Sequence, residues 1–227
     1  MAPSINRKPG PLLETMRAEV IGSPIAHSRS PEIHGRWIRT LGLNATFQTC
    51  RVEPTELPDW LEQRRSGNMW RGCSVTAPLK QVAAGLVDSL SREAKRLGAV
   101  NLICNEKGQL KGYNTDIEGI RIALGGHVQR TGKIVIVGAG GATLAALAYA
   151  IDQGFTDVNI VARNPGQAFD KLASRFSSPF RIVPFERAHT AINGADVLIN
   201  ATPMGSSHGA PMRPEILNAL ADAATGS

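Results

Sequence analysis

The hydrophobic pattern is sharpest at Lys133–Ile151, KIVIVGAGGATLAALAYAI. Ile134–Val137 are four β-branched residues in succession, the pattern of a strand buried on both faces. Gly138, Gly140 and Gly141 then permit a tight turn and close backbone approach. Ala142–Gln153 is rich in Ala and Leu, which predicts a helix stopped by Gly154. Around this unit the pattern changes repeatedly between strand and helix periods. Ala18–Gly22 predicts a strand entering a Ser23-Pro24 turn. Pro31 suits a first helical turn capped by Ser30, and Ile33, Trp37 and Leu41 fall on one helical face. Thr46–Val52 alternates as a strand, and Leu57–Arg65 predicts a short helix with Trp60 and Leu61 inward. Arg71–Val75 is a strand running into Thr76-Ala77-Pro78-Leu79-Lys80, where Pro78 ends the pairing. Ser91–Leu97 predicts a helix, and Ala99–Cys104 with Gln109–Asn114 a hairpin. Thr115-x-x-Glu118 has the form of a capping box. It opens a helix that turns Ile117, Ile120 and Leu124 inward and stops at Gly125-Gly126.

Beyond the glycine turn the chain predicts strands at Val158–Ala162, Arg181–Pro184 and Asp196–Ile199. Asn164-Pro165 starts a helix whose core face is Phe169, Leu172, Ala173 and Phe176. Pro214–Ala221 predicts a last helix. Strands alternating with helices give an α/β fold. The expected organisation is a loose, Pro-rich tail over 1–16, an α/β domain with a mainly parallel sheet over 17–115, and a Rossmann-type doubly wound domain over 116–227.

Composition narrows the partners. The chain has 227 residues, 42% hydrophobic and 19% charged, as a globular protein does. No run of about 18 apolar residues predicts a spanning helix, and the N-terminus has no apolar signal region. Cys50, Cys73 and Cys104 are odd in number and lack metal-ligand spacing, so no metal is expected. Reduced thiols suit a cytoplasmic protein. The net charge is +6, but the basic residues are scattered, and Arg64-Arg65 and Arg92–Arg96 read as solvated helix faces. Anionic small molecules explain that balance as well, and neither nucleic acid nor membrane is expected as a partner. A monomer or homodimer is expected.

Several residues carry two readings. The glycine turn G-x-G-G-A-T, with Thr143 in the usual third-glycine place, is either a plain strand-to-helix turn or a pyrophosphate cradle at a helix N-terminus. Arg163 stands at the end of the next strand, where an acid would bond the 2′-OH of NAD. An arginine there accepts the 2′-phosphate of NADP instead. Ser28 and Ser30 lie at a strand-to-helix junction, where two hydroxyls suit a carboxylate, and Ser30 reads equally as a helix cap. His27 stands beside them in the loop. Lys80 is either a surface charge or a site amine, and Asp116 either a helix-end acid or a site carboxylate. Asn200–Gly205 lies at the carboxyl end of its strand, where open α/β sheets bind ligands.

Taken together, the segments VIGSPIAHSRSPEIH (20–34), GCSVTAPLK (72–80), GAVN (98–101), GYNTDIEG (112–119), VGAGGA (137–142), AR (162–163) and NATPMG (200–205) resemble shikimate dehydrogenase, in the order of that family. The resemblance implies two α/β domains with the active site between them, and NADP(H)-dependent reversible reduction of 3-dehydroshikimate to shikimate in aromatic amino-acid biosynthesis. It implies Ser28 and Ser30 on the substrate carboxylate, and Thr76, Asn101 and Asp116 on its hydroxyls. Lys80 and Asp116 would be the catalytic pair. Gly138, Ala139, Gly140, Gly141 and Ala142 would cradle the pyrophosphate, and Arg163 the 2′-phosphate. Asn200, Ala201, Thr202, Pro203 and Met204 would run beside the nicotinamide. The Ser-x-Ser pair looks more like shikimate-selective than quinate-using members.

The chain departs from the family at Ser74, Leu102, Ala162, Asn164 and Pro203. Family members also continue past the NAT turn for several dozen residues, so a nucleotide domain incomplete at its C-terminus is expected. Two alternatives follow: a non-catalytic or weakly active NADP(H)/shikimate-binding paralogue or fragment, and a quinate/shikimate dehydrogenase.

Overall fold

The structure is a computed structural model and describes residues 14–125, 132–177, 179–206 and 209–225. Most of the expected N-terminal tail, and Gly126 of the expected Gly125-Gly126 stop, lie outside these residues. The chain forms two compact units. One comprises the residues up to Ser91 together with Val100–Tyr113; the other comprises Arg92–Ala99 and the residues from Asn114 onward.

The first unit is a six-stranded mixed sheet with helices. Its strands are β1 (Met16–Gly22), β2 (Ala45–Arg51), β3 (Trp70–Val75), β4 (Ser89–Leu90), β5 (Leu102–Glu106) and β6 (Gln109–Tyr113). They lie in the order β2-β1-β3-β5-β6-β4. β1 is parallel to both β2 and β3, while the β5–β6 hairpin runs antiparallel to β3. The helices here are α1 (Ser30–Thr40), α2 (Leu57–Arg65) and α3 (Lys80–Ala84). The core includes Val20, Ile21, Val75, Leu79, Ile103 and Leu110, each at most 4% exposed.

The apolar face of α1 is the main departure from the expected packing. Ile33, Trp37 and Leu41 are 49%, 54% and 68% exposed, and no residue of α1 is buried. His34 stacks on Phe47, with ring centroids 4.0 Å apart. Nor are Arg64 and Arg65 merely solvated. Arg64 holds Glu19 through two bonds of 3.0 Å, and Trp70 Nε1 donates to the same carboxylate at 3.0 Å. Arg65 pairs with Asp88 at 3.0 Å.

The second unit carries α4 (Arg92–Leu97), α5 (Asp116–Leu124), β7 (Lys133–Val137), α6 (Gly141–Gln153), β8 (Asp157–Ala162), α7 (Pro165–Ala173), β9 (Arg181–Pro184), α8 (Ala188–Ile192), β10 (Val197–Asn200) and α9 (Pro214–Thr225). Its four strands are all parallel, in the order β10-β7-β8-β9. The strand alternation explains the unbroken apolar run in β7. Ile134 and Ile136 face one core with Leu144, Leu147 and Leu97, and Val135 and Val137 face the other with Phe185 and Ile216. Helix α6 is buried along Thr143–Ala150, as a helix apolar on every side must be. Phe169, expected inward, is 52% exposed and rests on Phe180 instead. Arg96 is paired with Asp152 at 2.8 Å.

Candidate functional site

Within the first unit, the expected substrate residues collect at one edge of the sheet. β1 and β3 are parallel, so the loops that follow them leave the sheet side by side. β5 runs the other way and begins at that same edge, which brings Asn101 there. Backbone bonds lock the three segments. Thr76 N–H donates to Ile21 O at 2.9 Å, Ser23 N–H to Ala77 O at 3.2 Å, and Val75 N–H to Asn101 O at 2.8 Å. The approach is close enough that a Cβ on Gly22 would stand 2.9 Å from Ala77 O.

Helix α1 starts one residue earlier than Ser30 capping would require. Arg29 holds the cap position, Ser30 is the first helical residue, and its N–H donates to Ser28 Oγ at 3.3 Å. The two hydroxyls therefore belong to one turn, half-buried, at the mouth of an eleven-residue helix. Lys80 is the first residue of α3, half-buried behind the fully buried Leu79. Its carbonyl accepts from Val100 N–H at 2.8 Å, which fixes the start of the helix against the segment that leads to Asn101.

Within the second unit, Asp116 opens α5. Thr115 is the cap residue, but its side chain makes no cap bond, so the expected capping box does not form. Asn114 does the work. Its Oδ1 accepts from Asp116 N–H at 2.9 Å, and its amide donates to Ala99 O at 3.0 Å. Asn114 is 6% exposed and is one of the few buried polar residues. The local sequence pattern points to Thr115 and not to Asn114, whose burial comes with a bond to a carbonyl fifteen residues earlier.

The order β10-β7-β8 places the reversal of strand order between β7 and β10, where open α/β sheets bind ligands. The glycine turn and the Asn200 turn meet there. Ala201 N–H donates to Val137 O at 2.8 Å, and Gly138 N–H to Val161 O at 2.8 Å. Gly138 has φ +119, and a Cβ on it would stand 2.8 Å from Thr202 Cγ2, so glycine is required. Above Gly140 and Gly141 a Cβ would meet nothing within 4 Å. That space faces the first turn of a thirteen-residue helix with no acid in it, whose leading N–H groups lack intrahelical acceptors. Thr143 fills the third-glycine place fully buried, and its Oγ1 has no partner among the described residues.

Asn200 organises its own turn. Its Oδ1 accepts from Thr202 N–H (3.0 Å) and Thr202 Oγ1 (2.7 Å), and its amide donates to Met204 O at 2.9 Å. Gly138–Gly140, Arg163 and Ala201–Met204 line one cleft of about 960 Å³. Gly141 and Ala142 begin α6 and are exposed. The lining also includes Lys171, Phe185 and Arg213, which no local sequence pattern singles out. The Arg213 guanidinium lies 5.0 Å from the Phe185 ring centroid and pairs with Glu215 at 2.9 Å. Lys171 Nζ donates to Ala139 O at 3.1 Å. Among the described residues, the lining thus has three cations and no carboxylate. A glycine turn, an open helix N-terminus, Arg163 and a cationic wall fit a phosphorylated dinucleotide such as NADP.

Residues 20–103 match the family model described as the shikimate dehydrogenase substrate binding domain. Residues 125–209 match that of shikimate / quinate 5-dehydrogenase. The NADP(+) shikimate dehydrogenase of Methylocella silvestris is 37% identical over 200 residues, which span 86% of this chain and 70% of the relative. That of Thermus thermophilus is 36% identical over 205 residues, 89% and 74% of the two chains. Among solved structures, a shikimate 5-dehydrogenase of Thermus thermophilus in complex with NADP(H) and shikimate aligns with a TM-score of 0.73 at 36% identity, covering 84% of this chain and 70% of that one. Shikimate dehydrogenase of Aquifex aeolicus aligns with a TM-score of 0.78 at 32% identity, covering 87% and 73%.

Proposed function

The chain belongs to the shikimate dehydrogenase family, and from that premise we propose that it interconverts 3-dehydroshikimate and shikimate with NADP(H). The observation that carries this reading is the cleft at the β7–β10 reversal, where the glycine turn, Arg163 and the Asn200 turn come together. When bound in this cleft, the dinucleotide would supply the hydride for the substrate carbonyl carbon. The protein's own groups do the rest. Lys80 delivers a proton to the oxygen that becomes the new hydroxyl, and its ammonium stabilises the negative charge developing there. Asp116 accepts a hydrogen bond from a substrate hydroxyl and orients the ring. Ser28 and Ser30 donate to the carboxylate, and Thr76 and Asn101 hold the remaining hydroxyls. Gly138–Ala142 present backbone to the pyrophosphate, and Arg163 takes the 2′-phosphate.

Cys50, Cys73 and Cys104 are free thiols, which fits action in a reducing compartment such as the cytoplasm. Among the described residues no helix is long and apolar enough to cross a membrane. The proposed partners are small molecules, and the proposed state is a monomer or homodimer.

The test is NADP+ reduction with shikimate at alkaline pH, and NADPH oxidation with 3-dehydroshikimate, with quinate run in parallel. Turnover that depends on Lys80 and prefers shikimate supports the reading. Dinucleotide and shikimate binding without any turnover would make the chain a binding protein, and faster turnover of quinate would move it to the quinate-using members.

A further inference from the structure

We infer that Lys171 is a second cation of the cofactor site, acting with Arg163 on the 2′-phosphate and so on the choice of NADP over NAD. The inference rests on the dinucleotide reading of the cleft. Lys171 is carried by α7, the helix that follows the strand ending at Arg163. Asn164, Gln167 and Lys171 recur at the spacing of one helical face, and all three line the cleft. Gln167 and Asn164 are neutral, so Lys171 is the cation of that face.

Its placement is specific. The half-buried ammonium donates to Ala139 O, the residue between the first two glycines. Gly138 is itself bonded to Val161 near the end of β8. Lys171 therefore stands where the glycine turn meets the end of the Arg163 strand, the side of the cleft that takes an adenosine ribose in this fold class. Its charge is also uncompensated in a way that Arg213's is not. Arg213 is paired with Glu215 and lies 4.0 Å from Glu186. Lys171 is met by a neutral carbonyl, and among the described residues no carboxylate lies within ion-pair distance of it. An ammonium has three donors, and Ala139 O takes one. The remainder suit phosphate oxygens, for which charge-assisted bonds are the strong kind.

The experiment is calorimetric titration of the full chain with NADP+ and with NAD+, for the wild type, Lys171→Met, Lys171→Arg and Arg163→Ala, with thermal melts of each variant without cofactor. Lys171→Met should weaken NADP+ about tenfold or more while changing NAD+ less than about threefold, and Lys171→Arg should recover most of the loss. Equal losses for the two dinucleotides would overturn the inference, because they would mean that Lys171 only braces the turn. No loss for either would overturn it as well. Wild-type protein that binds neither dinucleotide would overturn both this inference and the cofactor assignment. Wild-type preference for NADP+ that survives Lys171→Met and disappears in Arg163→Ala would overturn this inference alone. If Lys171→Met melts early, Lys171→Gln supplies the same comparison.

Discussion

Asn114 fixes the backbone of Asp116: its Oδ1 accepts the Asp116 N–H at 2.9 Å while its amide is anchored on Ala99 O at 3.0 Å. The side chain is nearly enclosed, so its loss leaves the buried Ala99 carbonyl without that donor. Asn114→Ala should cost about 1–3 kcal/mol of stability, seen in denaturant unfolding. It should also lower kcat, because Asp116 loses its fixed starting direction. Asn114→Asp keeps the acceptor toward Asp116 and removes the donor to Ala99, so stability should fall more than kcat.

Lys80 belongs to the first unit and is not among the residues that line the nucleotide cleft of the second. Lys80→Met should therefore lower kcat by about 10²–10⁴ while leaving NADP+ affinity within about twofold, as measured by calorimetry. A parallel loss of NADP+ binding would contradict a role confined to proton transfer. Asp116→Asn should lower kcat and raise KM for shikimate together, since it would lose its acceptor strength toward a substrate hydroxyl.

Arg163 follows β8 directly and is exposed in the cleft. Arg163→Ala should weaken NADP+ by about tenfold to a hundredfold and NAD+ by less than about threefold, because only NADP carries the phosphate. Equal losses for the two would remove the phosphate role.

Thr143 buries a hydroxyl that has no partner among the described residues. Valine has the same shape without the polar atom. Thr143→Val should therefore raise the unfolding free energy by about 1 kcal/mol, while Thr143→Ala should gain less because it leaves a gap. Thermal melts of the two variants check the order.

His34 stacks on Phe47, and its partial burial holds the imidazole below its ordinary pKa of 6.5. Between the folded value and 6.5 the unfolded chain binds the extra proton, so stability rises with pH there. This group costs nothing above the unfolded value and its penalty grows as pH falls toward the folded one. Melting temperatures should decline on acidification from about pH 7.5 to about pH 5.5, and His34→Gln should flatten that decline.

The sequence made much of this legible. Helix α2 and strand β9 fall where their patterns predict, at Leu57–Arg65 and Arg181–Pro184. Four β-branched residues, three glycines and an Ala-rich run define the nucleotide turn through local rules of packing and φ. The rest depends on long-range partners. Ser30 and Thr115 look like caps by type, but Ser28 and Asn114 make the corresponding bonds, because the cap is set by where the preceding strand delivers the chain. Ile33, Trp37 and Leu41 have a core-like period with no core against them among the described residues. Lys171 keeps helical spacing from Gln167, but its value comes from a carbonyl thirty-two residues earlier. The short helix α8 and the two-residue β4 carry too few positions for any period to show.

The affiliation of Arg92–Ala99 has a practical meaning for anyone dissecting this protein. The polypeptide passes from one unit to the other after Ser91, after Ala99 and after Tyr113. Severing it once at Tyr113 would strip Leu97 and Ala99, which are 1% and 2% exposed, from the apolar cluster that surrounds Ile134 and Leu147. A stand-alone nucleotide-binding fragment therefore needs residues 92–99 grafted ahead of Asn114. The first unit, taken alone, needs a replacement linker between Ser91 and Val100.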